Sequence, residues 1–120
     1  MDWSRRGTLT LPLILLAAPG KAHSLLQGSE PAEGAVLQAG PAHITLRFNE
    51  GVQLTALRLF AADTAEWPLR RPRDLTARPE HRAEIGRDLS PGAWRAVWRA
   101  ISADGHEIGG TIRFRLEPSR

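Results

Sequence analysis

Hydrophobic and polar residues alternate with a period of two through several short runs of this chain. Ile44, Leu46 and Phe48 alternate with Thr45, Arg47 and Asn49, which predicts a strand with one face toward a core and the other toward water. Leu57 and Leu59, flanked by Ala56, Arg58 and Phe60, predict a second and less regular strand. From Ala93 to Ile101, Trp94, Ala96 and Trp98 share one side while Arg95, Val97 and Arg99 share the other, so both faces are expected to be partly covered. Thr111 to Leu116 sets Ile112, Phe114 and Leu116 against Thr111, Arg113 and Arg115, an amphipathic strand. Turn chemistry separates these runs at Ser29 to Gly34, at Gly40-Pro41 and at Ser90-Pro91-Gly92. Asp63 to Asp88 is polar, arginine-rich and broken by Pro68, Pro72 and Pro79, and it reads as long loops with one short strand near Ala83 to Ile85. With no internal amphipathic helix, the pattern predicts an all-β domain: an immunoglobulin-like antiparallel β-sandwich of Greek-key type with about seven strands.

The first 22 residues follow a different pattern. Arg5 and Arg6 precede an apolar run from Leu9 to Ala18, and Gly20-Lys21-Ala22 supplies small residues before His23, the layout of a secretory signal. The run is about half the roughly 20 apolar residues that a membrane-spanning helix needs. Residues 1–22 are therefore expected to be removed on export, with no membrane insertion afterwards, leaving 23–120 as one domain. Arg5, Arg6, Lys21 and Asp2 leave with the signal, so the 16 basic and 13 acidic side chains of the whole chain become 13 and 12. Near-neutral charge argues against nucleic acid as a partner. The chain has no cysteine, and its one methionine is Met1. Disulfides and soft sulfur ligands are thereby excluded, and a metal must be held by nitrogen and oxygen.

Cleavage before His23 would create an unusual ligand. The free α-amine and the imidazole Nδ1 of an N-terminal histidine close a compact chelate ring that an internal histidine cannot form without giving up a backbone amide. The other compact group of candidate ligands is Ser102-Ala103-Asp104-Gly105-His106. Asp104 and His106 are two apart and would share a side if extended; Gly105, with Gly109 and Gly110 beyond, permits a tight turn and close backbone approach. Asp-Gly is also ordinary hairpin chemistry. Together with His23, however, His106 completes an amine and two imidazoles, the T-shaped nitrogen set that copper(II) favours, with Asp104 as a longer oxygen ligand.

From His23 onward the chain resembles the periplasmic copper-resistance CopC family, through His23, Ser29-x-Pro31-Ala32-Glu33-Gly34, Phe48-Asn49-Glu50, Gly92-x-Trp94-x-x-x-Trp98-Arg99-Ala100, Ser102 to His106, and Gly110-Thr111-x-x-Phe114. The resemblance implies a small β-sandwich that binds one copper(II) per chain through His23, Asp104 and His106, with Glu50 as an outer ligand or a neighbour of the metal. It also implies a periplasmic monomer that buffers copper or passes it to a CopD-like inner-membrane transporter or another copper protein, and that is not an enzyme. Some relatives hold copper(I) in a methionine-rich loop; the matching stretch here has arginine and proline instead, which implies a copper(II)-only member. His43 and His81 read as solvated, with a weak accessory metal site conceivable at His81.

Two other classes fit parts of the sequence. A histidine-brace copper monooxygenase would use the same nitrogens, but the absence of tyrosine, and Trp67 as the single tryptophan of the mature chain outside a predicted strand, offer little substrate surface. A metal-free immunoglobulin-like binding or assembly domain would leave His23 incidental.

Overall fold

A computed structural model describes residues 25–119. Eight strands and no helix occur among them: β1 (Leu26–Glu30), β2 (Ala35–Leu37), β3 (His43–Ala61), β4 (Glu66–Trp67), β5 (Leu69–Arg70), β6 (Arg78–Ile85), β7 (Gly92–Ile101) and β8 (Glu107–Leu116). The fold is an all-β sandwich, as the period-two runs predict. Two of the predicted strands prove to be one. β3 is 19 residues long, well beyond the usual 3–10, and it serves both sheets. Its first half lies between β1 and β6, with β5 outside β6. Its second half pairs with β7 and with β4, and the sheet continues through β8 to β2. All pairs are antiparallel except β2 with β8, which run parallel, a departure from the all-antiparallel expectation.

Bulges make this shared strand possible and explain its irregular sequence. Ile44, Leu46, Phe48, Val52 and Leu54 are buried at even positions, but Leu57 and Leu59 are buried at odd ones. The parity changes where the register shifts between Leu54, opposite Ala100, and Ala56, opposite Arg99. Thr55 is the extra residue, so inward-facing positions resume one place later. A larger interruption falls between Arg47, opposite Glu80, and Val52, opposite Arg78; it contains Asn49, Glu50 and Gly51.

One core joins the two sheets. Trp94 and Trp98 are 3% and 4% exposed, and the Phe48 ring meets Trp98 edge-on at 5.2 Å. Burying each large apolar side chain is worth roughly 1.5–3 kcal/mol, so two such residues contribute at least as much as the roughly 2–4 kcal/mol typical of a disulfide. This cysteine-free core thus fills the role expected of Trp94 or Trp98. Its one cost visible among the described side chains is the Trp98 indole N–H, buried with no acceptor.

The segment from Asp63 to Asp88 corrects the loop reading. It holds β4, β5 and an eight-residue β6. Trp67 is in β4, its ring edge-on to Trp94 at 4.8 Å, its indole N–H donating to the Arg87 carbonyl, and Arg87 stacked over it at 3.8 Å. His81, expected to be solvated, is 8% exposed in β6. Its Nε2 donates to the Val52 carbonyl at 2.8 Å, and its ring faces Phe48. Strand pairing with β3 turns it inward, a long-range effect that local composition does not carry. It thereby serves the fold rather than offering an exposed accessory metal site. His43 remains only partly buried at the start of β3, beside Arg82.

Candidate metal centre

The β7–β8 hairpin presents Asp104 and His106 at one end of the sandwich. The ladder ends at the Ile101–Glu107 pair. Beyond it, Ser102 N–H donates to the His106 carbonyl and Gly105 N–H to the Ser102 carbonyl, both at 2.9 Å. Gly105 has φ +87°, the left-handed conformation that closes a three-residue hairpin loop and that glycine adopts without strain. Asp104 and His106 therefore meet across a turn, not along an extended strand as their spacing alone suggests. Behind the turn, a Cβ on Gly110 would lie 3.0 Å from the Trp98 indole nitrogen, so this glycine makes room for a core tryptophan.

Within the turn, His106 Nδ1 donates to Asp104 Oδ2 at 2.9 Å, with the two side chains 79% and 69% exposed. Ser102, itself buried, donates its hydroxyl to Asp104 Oδ1 and receives the His106 amide at 3.3 Å. These contacts, the Ser102 hydroxyl first and His106 second, pull the Asp104 carboxyl down from 3.8 to about 2. Asp104 is thus an anion at any ordinary pH. A carboxylate on Nδ1 fixes the histidine tautomer and leaves Nε2 as the free donor, the arrangement in which a second group orients a ligating imidazole.

Glu50 reaches this turn from the interruption in β3. Its Oε2 accepts the Ala103 N–H at 2.8 Å, so in this geometry it braces the loop. One residue earlier, Asn49 N–H donates to the Leu25 carbonyl at 2.9 Å, which brings the start of the described chain to the same corner. Asp104, His106 and Glu50 are therefore gathered at one end of the sandwich. His23 lies outside the described residues. Among the described residues no three histidine, cysteine, aspartate or glutamate side chains form a ligand set. The available donors, one imidazole and oxygen atoms, suit a copper(II) ion only if further nitrogens are supplied. Ser102 belongs to the site through its hydroxyl, a role its place in the sequence cluster does not reveal; a serine two residues before an aspartate in a glycine turn is the signal for this bridge.

Comparison with known proteins places this architecture. The family model described as the CopC domain matches residues 26–117. Copper resistance protein C of Pseudomonas syringae pv. tomato is 29% identical over 92% of this chain and 93% of its own length. The copper transport protein CutJ of Bacillus subtilis (strain 168) is 27% identical over 90% of this chain, which spans only 20% of that longer protein. The crystal structure of CopC from Methylosinus trichosporium OB3b superimposes with a TM-score of 0.68 over 82% of this chain and 97% of that one, at 22% identity, a likeness of fold. With the domain matched across nearly all its described residues, this chain belongs to the CopC family.

Proposed function

We propose that the chain is an exported copper(II)-binding protein of copper resistance and homeostasis, cleaved before His23 and working as a monomer in the periplasm. One copper(II) is held by the α-amine and imidazole of His23 and by His106 Nε2. Asp104 orients His106 through Nδ1, across the ring from the ligating Nε2, and Glu50 holds the loop that carries both. The observation that supports this most directly is the shared corner. Leu25 is bonded to Asn49, the next residue Glu50 is bonded to Ala103, and Asp104 and His106 follow within the same turn. His23 precedes Leu25 by two residues, a reach of about 7 Å in an extended chain. That reach starts from the corner to which Glu50 also ties the turn carrying His106, which supports a meeting of the two histidines.

The chemistry is capture and release. Amine and imidazoles bind the ion only when unprotonated, so affinity falls as pH drops and protons compete for the same nitrogens. The chain has no cysteine and no methionine beyond Met1, so reduction to copper(I), which prefers sulfur, weakens binding and favours transfer to a CopD-like transporter or another copper protein. The relatives named for copper resistance and copper transport support this assignment.

Copper(II) titration with electron paramagnetic resonance, on protein that starts at His23 and on protein with one extra alanine in front, tests it. Tight one-to-one binding with a nitrogen-rich tetragonal signal is expected for the first. The alanine converts the amine to an amide and should cost at least about tenfold in affinity, since one ligand is lost. Equal binding by the two proteins sinks the brace.

A further inference from the structure

A second feature lies on the outer face of the β2-β8-β7-β3 sheet, remote from the hairpin turn. The cross-strand row Ala35, Phe114, Trp94 and Ala61 forms the floor of an open trough of about 480 Å³. Trp94 and Phe114 point inward there, so the floor is backbone. One wall is the row containing Arg113 and Arg95, and the other is the row containing Arg115 and Ala93. Strands about 4.8 Å apart make the trough about 14 Å long, running across them. Trp94 is seven residues from Ile101 at the metal end, or about 23 Å along the strand.

The charge pattern is unfavourable for folding alone. Arg95 and Arg113 are direct cross-strand partners, and like charges so placed repel. Nearby carboxylates are already engaged: Glu66 with Arg58 at 2.8 Å, Glu117 with Arg115 at 2.7 Å, and Glu33 with the Arg113 backbone N–H at 2.8 Å. Among the described residues Arg95, Arg99 and Arg113 have no carboxylate partner. Arg95 is also held in place, its guanidinium 4.5 Å over the Phe60 ring.

We propose that this trough is a docking site for an acidic, extended peptide segment of a partner protein. An extended chain rises about 3.3 Å per residue, so four residues fill the trough, with Arg95 and Arg113 side by side along one wall to meet the carboxylates. Guanidinium forks suit carboxylates bidentately. A lipid surface is a poorer match: it meets a plane rather than a trough, and residues 23–120 contain no lysine to form a flexible basic fringe. The proposal is independent of the copper assignment and places partner recognition at the opposite end from the metal.

Fluorescence anisotropy of a labelled hexapeptide alternating Asp and Ala, with protein purified from cells expressing the full chain, tests it at low salt. The R95Q/R113Q pair should weaken binding at least about tenfold, because each substitution removes a charge-assisted hydrogen bond to a carboxylate. R71Q/R73Q removes equal charge elsewhere and should change binding less than about twofold. Equal losses in the two pairs, or no peptide binding, overturn the proposal, as does binding to phosphatidylglycerol vesicles without binding to the peptide. Amide shifts on the unmodified protein guard against misfolded variants: perturbations at Ala93, Arg95, Arg113 and Arg115 support the trough, and perturbations centred on the 102–106 turn refute it.

Discussion

Two polar stretches of this chain owe their shapes to different forces. The 102–106 turn is closed locally. Its Ser102 hydroxyl, Asp104 carboxylate, Gly105 backbone and His106 amide bond to one another, and among the described residues Glu50 is the distant group that ties it down. The stretch from Asp63 to Asp88 is closed from far away, by β6 pairing along β3 and by Trp67 packing on Trp94. A segment whose partners are its neighbours can be changed without disturbing the core, which leaves it free to carry chemistry. A segment whose partners are distant strands contributes stability instead. The two therefore predict opposite consequences for their histidines.

His106→Ala removes a proposed ligand from the local turn. Copper(II) affinity should fall by at least about a hundredfold, two powers of ten being about 2.7 kcal/mol, with unfolding midpoint unchanged. Isothermal titration beside thermal melting reads both, and a shifted midpoint with intact binding reverses the comparison. His81→Ala should do the converse. It opens a cavity and strands the Val52 carbonyl, costing about 2–4 kcal/mol in urea unfolding, while copper affinity stays within twofold. A stable His81→Ala protein with impaired copper binding would place this histidine in the metal chemistry after all. Glu50→Ala tests the tie between the regions. Loss of one bond to a backbone N–H should cost about 0.5–1.5 kcal/mol and weaken copper binding severalfold; a loss as large as that of His106→Ala would make Glu50 a ligand. The smallest effect is titration of metal-free Asp104. Its folded value, about 2, lies below its ordinary 3.8, so its contribution to stability is present above pH 3.8 and is lost as pH falls through 2. Carboxyl carbon shifts should stay at the ionised value through pH 3, and a midpoint near 4 would show that the Ser102 and His106 contacts do not persist in solution.

The same division explains what was legible in the sequence. Period-two runs in β3, β7 and β8 identify the sheets because an inward face leaves its mark every second residue. The turn glycine and the Asp104–His106 pair are legible because their chemistry lies within five residues. β3 looked like two strands because the Thr55 bulge reverses the parity of its buried leucines. His81 looked solvated because its neighbours in sequence are Glu80 and Arg82, while its neighbours in space are Phe48 and Val52. The hydroxyl bridge from Ser102 was visible as a residue but not as a role. His23, on which the nitrogen set depends, lies outside the described residues.

β3 also sets how the molecule comes apart. A sandwich whose sheets are separate lists of strands can lose one sheet before the other, but here each sheet holds a different half of the same backbone. Detaching β6 loosens the first half of β3, and that backbone runs directly into the half that β7 holds, so the two halves should melt in one cooperative step, with their slowest-exchanging amides sharing one opening free energy. Glu50 sits in the bend between those halves, so the carboxylate that braces the 102–106 turn keeps its place for as long as the shared strand stays paired.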